Sequence, residues 1–448
     1  MQETPGDAIL YIAPIGYRKS SGSCGYCRRA QTGRSYYARA QAISPRSYQS
    51  LIDRCWRRSG TLIYRPNQKD ACCPHYTIRL DASRFKASKD QRQAVNRFNK
   101  YVIGDTYARE AARLYPKSRE QARKRDNEFD LVERIHECES ASLKQPPAPC
   151  HTFSVTLELD DFTEEKYRVY ENYQQVVHHE SPPSISREGF RNFLCSSPLI
   201  RDTLTTPDGK ERNVGSFHQC YRLDGQLVAI GVLDLLPDCV SSVYFLYHES
   251  IQRFSPGKLG ALHEIALALE GGYRWWYPGF YINTCPKMRY KIDFSPEQIL
   301  NPDTMKWHDL TEDILAKFDD HGYLDFSKGE ETRTENVPQT EETTSVEVEV
   351  PDDTADADGS KNDTDLTIFD GGMPGIPSIE EVNSFDLDHI VLFLDRGDYH
   401  AVDFFQWQGE SIRDGTSVKA AIAELVAAIG LELSPYLCLD FRTDATAT

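Results

Sequence analysis

Long apolar segments are missing from this chain of 448 residues. No apolar run reaches the roughly 18 residues that a membrane-spanning helix needs. Residues 1–17 also lack a basic stretch followed by a long apolar one, so a secretory signal is not expected. We therefore expect an intracellular protein of the cytoplasm, with the nucleus as a second location, and no membrane partner.

Three common catalytic signatures are absent as well. The sequence contains no Gly-x-Ser-x-Gly, no His-Glu-x-x-His and no phosphate-binding loop that ends in Gly-Lys-Ser/Thr. These signatures mark serine hydrolases of the α/β type, zinc proteases and P-loop nucleotidases. None of these three classes therefore has support from a motif.

Acidic residues outnumber basic residues, but the two kinds are unevenly distributed along the chain. The formal net charge is −17, and residues 330–365 alone carry 13 acidic and 2 basic residues. Residues 1–150 carry 28 Lys and Arg against 15 Asp and Glu. A basic amino-terminal third on an acidic protein is typical of a local polyanion site, although a solvated surface is the commoner explanation.

Twelve cysteines are present, and four of them form two tight pairs, Cys24 with Cys27 and Cys72 with Cys73. In a reducing compartment such pairs indicate metal ligands before disulfides. A Cys-x-x-Cys turn brings two sulfurs to one side, and a second pair completes four soft ligands for zinc or an iron–sulfur cluster. Buried thiols or a redox pair are the alternatives. His75 could ligate or support a ligand, but a surface histidine is the simpler interpretation.

The chain is predicted to divide into five parts. Three prolines mark a linker, and a segment poor in apolar residues and rich in Asp, Glu and Thr indicates a disordered insertion. The predicted parts are a basic amino-terminal domain with the cysteines (1–143), a linker (144–151), a catalytic domain (152–329), the acidic insertion (330–374) and a segment that completes the catalytic fold (375–448).

The most informative stretch lies between residues 215 and 282. Two strands joined by Asp224-Gly225 form a predicted hairpin, and a third strand, an apolar helix and a last strand follow. Their predicted ranges are 216–223, 226–236, 241–247, 256–270 and 275–282. This succession is that of the GNAT acyltransferase core, so we predict an α+β protein with a GNAT-like catalytic domain.

The turn before the apolar helix does not favour coenzyme A. GNAT enzymes that use coenzyme A bind its pyrophosphate with the backbone amides of a glycine-rich turn at this point. Here Pro256 removes one amide, and the spacing of Gly257 and Gly260 does not fit. His263, inside the same helix, is expected to be packed there.

Two groups of residues are candidates for chemistry. Lys287, Arg289 and Lys291, with Tyr290 among them, follow the last predicted strand and could bind an acidic side chain or tRNA phosphates. A solvated basic loop is the alternative.

The second group lies on the hairpin. His218 could act as a base and Asp234 as an orienting or basic carboxylate, with Tyr221 as a further group that handles a proton. A hydrogen-bonded structural histidine is the alternative.

Several motifs occur together in one order. They are Ser-Cys24-Gly-Tyr-Cys27, Cys72-Cys73-Pro, Phe-His218-Gln, the runs 228–237 and 242–247, and Cys285-Pro-Lys287-Met-Arg289-Tyr290-Lys291. Over residues 8–310 the chain resembles the arginyl-tRNA–protein transferases. Departures from the family pattern are Arg28-Arg29, Asn283-Thr284 and the acidic insertion.

The resemblance implies transfer of arginine from Arg-tRNA to amino-terminal Asp, Glu or oxidised Cys. The product would be an N-degron read by a ubiquitin ligase. The resemblance also implies that Cys24, Cys27, Cys72 and Cys73 hold an iron–sulfur cluster or zinc.

The implied reaction needs neither a nucleophilic residue nor ATP, because the aminoacyl ester is already activated. The enzyme then mainly positions the amine and the ester and stabilises the oxyanion. Arg54, Arg57 and Arg58 are candidates for tRNA contacts. Two other functions are kept open, a coenzyme A-dependent acetyltransferase of the same fold and a non-catalytic, metal-stabilised tRNA-binding adaptor.

Overall fold

A computed structural model describes residues 9–19, 23–30, 33–206, 209–326, 366–394, 397–404 and 407–441, without the side chains of Asp126 and Lys287. Two β-sheets with flanking helices make up this part of the chain, so the predicted α+β class is confirmed. Among the described residues, no helix combines the length and apolar character that crossing a bilayer requires.

The strands are numbered in chain order. They are β1 Leu10–Lys19, β2 Arg34–Ile43, β3 Arg57–Ser59, β4 Leu62–Pro66, β5 Tyr76–Asp81, β6 Phe153–Leu159, β7 Asp202–Thr205, β8 Glu211–Leu223, β9 Gln226–Leu236, β10 Cys239–Tyr247, β11 Trp275–Tyr277, β12 Phe280–Tyr281, β13 Glu297–Leu300, β14 Trp307–Asp309, β15 Val391–Leu394, β16 Gly397–His400 and β17 Leu437–Asp440.

The α-helices are numbered in the same way. They are α1 Pro45–Ile52, α2 Lys89–Ile103, α3 Asp105–Leu114, α4 Arg119–Asn127, α5 Leu131–Ile135, α6 Glu164–Val176, α7 Arg187–Leu194, α8 Pro256–Gly271, α9 Pro286–Arg289, α10 Glu312–Leu315, α11 Ile379–Ser384 and α12 Val418–Ile429.

The first sheet joins strands from distant parts of the chain. Its order is β16-β15-β17-β1-β2-β4-β3, and β17 runs parallel to both of its neighbours. The Ala-rich helix α12 packs on it, and the Ala428 carbonyl accepts hydrogen bonds from Trp56 Nε1 (3.1 Å) and Arg65 Nη1 (2.7 Å). Ile368 and Met373 are buried in the same core. Of the predicted acidic insertion, residues 330–365 lie outside the described part of the chain.

The second sheet has the order β14-β13-β5-β11-β10-β9-β8-β6, with β12 paired to β5 and β7 to β8. The predicted hairpin is present as β8 and β9, and helix α8 connects β10 to the parallel strand β11. The prediction of a single last strand over residues 275–282 was wrong, because Pro278 and Gly279 divide this segment into β11 and β12. Proline lacks the amide hydrogen that a ladder needs, and Gly279 has φ +88°.

Strand β5 comes from the predicted amino-terminal domain and pairs with β11, β12 and β13 of the predicted catalytic domain. Strands β15 and β17 of the carboxy-terminal segment belong to the sheet that contains β1. Sheet membership alone does not set domain boundaries, so the five-part division stays a prediction.

Helix α8 is apolar on nearly all sides and is buried against the second sheet. Pro256 starts it, and Gly272, with φ +68°, ends it. Gly260 allows its close approach to the sheet, because a Cβ atom there would lie 2.2 Å from the Phe245 ring. The helix is therefore held tightly under the middle of the sheet.

Candidate functional site

The four predicted metal-ligating cysteines converge. Cys24 and Cys27 lie in the connection between β1 and β2, and Cys72 and Cys73 lie in the loop before β5. The four sulfur atoms lie within 4.8 Å of one another, and Cys27 Sγ is 3.5 Å from Cys72 Sγ. Two sequence-distant loops thus bring four thiols to one point.

The geometry fits a metal. Four thiolates bound to one zinc ion at about 2.3 Å lie roughly 3.8 Å apart, and the sulfurs of this group lie within 4.8 Å of one another. The Tyr26 amide donates to Cys24 Sγ (3.4 Å) and Thr284 Oγ1 donates to Cys73 Sγ (3.3 Å). The neighbouring Cys73 thiol, by hydrogen bonding, lowers the pKa of Cys24 to about 4, which favours the thiolate. These four cysteines can therefore hold a metal.

The cysteine site touches the segment that carries the predicted substrate-binding cations. Cys24 and Cys73 share one buried cluster with Ile282 and Cys285, and Met288 packs against it. The two sites that the sequence predicted separately are thus neighbours.

His75 is not one of the converging ligands. It lies half-buried, with its ring 5.2 Å from the rings of Tyr26 and Phe280. Burial lowers the pKa of His75 to about 4, so the ring is neutral at physiological pH.

The second sheet opens next to this segment. Strands β10 and β11 pair only from Cys239 to Ser241, and then β12 pairs with β5 instead. Gly279 lies where the strands part, since a Cβ atom on it would be 3.7 Å from the Ser242 carbonyl oxygen and 3.4 Å from Lys291 Nζ. We call this opening between β10 and β12 the strand split.

A base and an acid meet at the strand split. Lys291 Nζ donates to the Phe280 carbonyl (3.0 Å). From α8 below, Glu264 accepts hydrogen bonds from Trp276 Nε1 (2.8 Å) and Ser242 Oγ (3.3 Å). Both side chains are held at the point where the sheet is open.

The electrostatics of the split shift the pKa values of both groups towards physiological pH. Burial raises the pKa of Glu264 to about 7, and burial, with the charge of Arg57, lowers the pKa of Lys291 to about 8. The charge of each group partly opposes the shift of the other. Each of these two groups can therefore gain or lose a proton near physiological pH.

Glu264 and Ser242 were not among the predicted site residues. The available signal was that Glu264 is the only carboxylate between Pro256 and Leu269 of an otherwise apolar helix. A buried carboxylate with a perturbed pKa beside an opening is typical of a functional site.

The other predicted substrate-binding residues lie around the split. Arg289 is exposed and donates from Nε to the Asn283 carbonyl (2.9 Å). Tyr290 is 41% exposed, with its ring 6.4 Å from that of Phe294. The side chain of Lys287 lies outside the described part of the structure.

The predicted proton-handling residues do not form one contact group. His218 and Tyr221 are three residues apart on β8, so their side chains point to opposite faces of the sheet. His218 Nε2 donates to the Leu194 carbonyl (2.9 Å), and burial lowers the pKa of His218 to about 4. Tyr221 donates to Gln219 Oε1 (2.6 Å).

Asp234 is fully buried in an ion pair. Arg58 binds it in bidentate fashion, with Nε to Oδ2 at 2.8 Å and Nη2 to Oδ1 at 2.7 Å, and Ser216 Oγ donates to Oδ1 (2.6 Å). Among the described residues, none of these partners links the carboxylate to His218. The catalytic roles of His218, Tyr221 and Asp234 stay predictions.

The arginines considered for tRNA contacts do not form an open basic surface. Arg57 and Arg58 are 7% and 5% exposed, and Arg54 pairs with Glu432. The Arg57 guanidinium lies over the ring of Phe280 at 5.2 Å. Both side chains are buried in the structure, and their role in tRNA contacts stays a prediction.

Comparison with known proteins gives two matching family models. Models described as the amino terminus and the carboxy terminus of arginine-tRNA-protein transferase match residues 22–93 and 165–301. The first match contains the four converging cysteines, and the second contains both sides of the strand split.

Curated relatives cover more of the chain. Arginyl-tRNA–protein transferase 1 of Drosophila melanogaster is 29% identical over 411 residues, 68% of this chain and 84% of the relative. The protein of the same name from Saccharomyces cerevisiae is 29% identical over 332 residues, 65% of this chain and 61% of the relative. An aspartate/glutamate leucyltransferase of Pseudomonas fluorescens is 27% identical over 63% of this chain and 92% of the relative.

Among solved structures, the carboxy-terminal domain of a putative lysylphosphatidylglycerol synthetase from Agrobacterium fabrum covers 49% of this chain and 53% of its own. The identity is 11% and the TM-score is 0.25, which is too low to assign a fold.

Proposed function

This chain belongs to the arginyl-tRNA–protein transferase family, and we propose from that premise that it transfers arginine from Arg-tRNA to the amino termini of proteins. Its acceptors are proteins that begin with Asp, Glu or oxidised Cys, and its product is an N-degron that a ubiquitin ligase reads. The observation that carries the mechanism is the pair Glu264 and Lys291 at the strand split.

The reaction is an aminolysis of an activated ester. The amino-terminal nitrogen attacks the ester carbonyl, the new amide bond forms, and the ester carbon–oxygen bond breaks to release the tRNA hydroxyl. A free amino terminus has a pKa of about 7.7–8.0, so a base with a pKa of about 7 matches the proton that must be removed. Glu264 accepts this proton and returns it to the leaving hydroxyl.

Lys291 supplies the selectivity for acidic amino termini. Asp, Glu and oxidised Cys share an anionic group a short distance from the amine, and a partly desolvated ammonium recognises any of the three. In support, the hydrogen-bond acceptor of the Lys291 ammonium among the described residues is the Phe280 carbonyl oxygen, and the ammonium lies beside Gly279, where there is no side chain.

Strands β8 to β11 with α8 form a GNAT-like acyltransferase core in this proposal. Two features support it, the hairpin–strand–helix–strand order and the parting of β10 from its parallel neighbour. An opening of this kind lets an extended acceptor chain reach groups that lie beneath the sheet.

Cys24, Cys27, Cys72 and Cys73 hold a zinc ion or an iron–sulfur cluster in this proposal. In support, the four sulfur atoms lie within 4.8 Å of one another, which lets them bind one metal group together. The bound group keeps two loops together and supports the segment around Ile282 and Cys285.

The deciding experiment uses the purified full chain, radiolabelled Arg-tRNA and peptides that begin with Asp, Glu or Ala. We expect label on the Asp and Glu peptides and none on the Ala peptide. Acetylation from acetyl-CoA without tRNA would instead favour an acetyltransferase. Binding of Arg-tRNA without any transfer, at a filled cysteine site, would favour an adaptor.

A further inference from the structure

A second group of potential metal ligands lies away from the cysteine site. His136 and Glu139 follow helix α5, and His263 projects from α8. One ligating atom from each of these three side chains lies within 4.8 Å of the other two. In this group, a turn of the predicted amino-terminal domain contacts α8, the helix that packs against the second sheet.

His136 has a carboxylate at each ring nitrogen. Its Nδ1 lies 2.5 Å from Glu139 Oε1, and its Nε2 lies 3.2 Å from Glu270 Oε2. A histidine that ligates a metal through one nitrogen almost always has a carboxylate, carbonyl or water on the other, which fixes the ring. The two carboxylates offer that arrangement whichever nitrogen faces the ion.

His263 adds an independent indication. It is 3% exposed, and its Nδ1 is buried without a hydrogen-bond partner among the described residues. A buried polar atom without a partner costs free energy, so native proteins rarely keep one. A bound cation would give this imidazole a partner.

The charges around the group are also unbalanced. Nearby Arg125 and Arg134 both pair with Glu137 instead of Glu139 or Glu270. Among the described residues, Glu139 and Glu270 therefore share only His136 as a basic partner. A divalent cation would offset that charge.

We propose that His136, Glu139 and His263 bind a divalent transition-metal ion of the zinc type, with Glu270 as a fourth ligand or as the group that orients His136. Two imidazoles and a carboxylate form a nitrogen and oxygen donor set that zinc accepts. The ion fastens the turn after α5 to α8, the helix that carries Glu264. This site is independent of the proposed function.

The test uses the full chain as purified, with its cysteine site filled, and titrates it with Co²⁺ under optical detection. We expect one further equivalent of Co²⁺, with visible d–d bands but without a new thiolate-to-cobalt charge-transfer band. His136→Ala should abolish this binding, and Glu139→Gln should weaken it strongly. If Glu270 orients His136, Glu270→Gln should cost about 10–100-fold in affinity.

The matched control is His151→Ala. His151 is 25% exposed and pairs with Asp224 at 2.7 Å, much as the 29%-exposed His136 pairs with Glu139, but no third ligand from the described part of the chain converges there. This variant should keep the extra equivalent. All the varied side chains are partly exposed, and circular dichroism checks that each variant is folded.

Two outcomes would overturn the proposal. One is the absence of any Co²⁺ equivalent beyond the thiolate site. The other is an extra equivalent that survives both His136→Ala and Glu139→Gln. Either result would leave a protonated His136 between two glutamates as the account of this group.

Discussion

Glu264 is buried under the strand split, with Trp276 and Ser242 as its hydrogen-bond donors. Its carboxylate must be ionised to accept a proton, so its raised pKa places the acidic limb of activity near pH 7. Below that pH the carboxyl group is protonated and the base is lost. Residue-scale chemistry therefore predicts a specific pH profile.

Glu264→Gln keeps the shape of the side chain and can still accept from Trp276 Nε1 through its amide oxygen, but it removes the base. We expect kcat to fall by about 10²–10⁴-fold with little change in KM, the usual contribution of a general base. The wild-type rate should rise as pH increases through about 7, and the variant should keep only the rise at about 7.7–8.0 that belongs to the substrate amine. The measurement is kcat from pH 6 to pH 9 with an Asp peptide.

The control variant is Glu188→Gln, at an exposed residue on the surface of α7. An unchanged pH profile in Glu264→Gln would remove this residue from the mechanism.

Lys291→Gln should weaken the recognition of acidic amino termini. A hydrogen bond to a charged group contributes about 1.5–3 kcal/mol, which corresponds to roughly 10–100-fold in kcat/KM for the Asp peptide. Arg289→Gln is the informative comparison, because Arg289 is exposed and bonded to the Asn283 carbonyl. A larger loss in Arg289→Gln than in Lys291→Gln would assign the anion contact to Arg289.

The sequence predicted the cysteine site because the two pairs are visible as pairs. It predicted Lys291 only as one of three cations, since their separation into exposed and half-buried side chains depends on the fold. Glu264 was missed because its chemistry arises from burial and from the place where two strands part. Asp234 was visible, but its bidentate partner Arg58 lies on a distant strand.

At the scale of elements, the contact between α8 and β10 sets the floor of the strand split. Gly260 faces the Phe245 ring so closely that a Cβ atom would overlap it, whereas Gly257, one turn earlier, has nothing within 4 Å. The hairpin, third strand and helix followed from local patterns. The break at Pro278 was also visible in the sequence, but the apolar run around it hid the loss of pairing with β10 beyond Tyr277.

Gly260→Ala should push α8 away from the sheet and destabilise the fold by about 1–3 kcal/mol, the usual cost of overpacking. Gly257→Ala is the matched control in the same helix and should be neutral or stabilising by up to about 1 kcal/mol. Urea denaturation of both variants measures the difference. Equal stability of the two would mean that the Phe245 ring moves aside without cost.

At the scale of the whole molecule, the cysteine site connects parts that are far apart in the sequence. It links the β1–β2 connection, the loop before β5 and the segment around Cys285. The pattern of single segments cannot reveal such pairings, because they depend on tertiary packing. The same holds for β17, whose place between β1 and β15 no local signal specified.

Cys73→Ser should remove one ligand and loosen all three segments. We expect loss of the bound metal, a lower Tm and about a tenfold higher KM for the Asp peptide, because the supported segment leads to Lys291. Metal content by mass spectrometry and Tm by calorimetry are read before activity. Cys150→Ser, at an exposed cysteine, should change neither. Full metal content in Cys73→Ser would show that Cys73 is not a required ligand.

The order of the first sheet has a consequence for biosynthesis. Strand β17 inserts between β1 and β15, so a ribosome has already made more than four hundred residues before Leu437–Asp440 can enter the sheet. Until then the edge of β1 has no partner on that side, and an open strand edge is where chains aggregate. A transcript with a premature stop between Leu300 and Leu437 would yield a truncated protein that chaperones must hold and that proteases can recognise, even though all residues of the strand split had been translated.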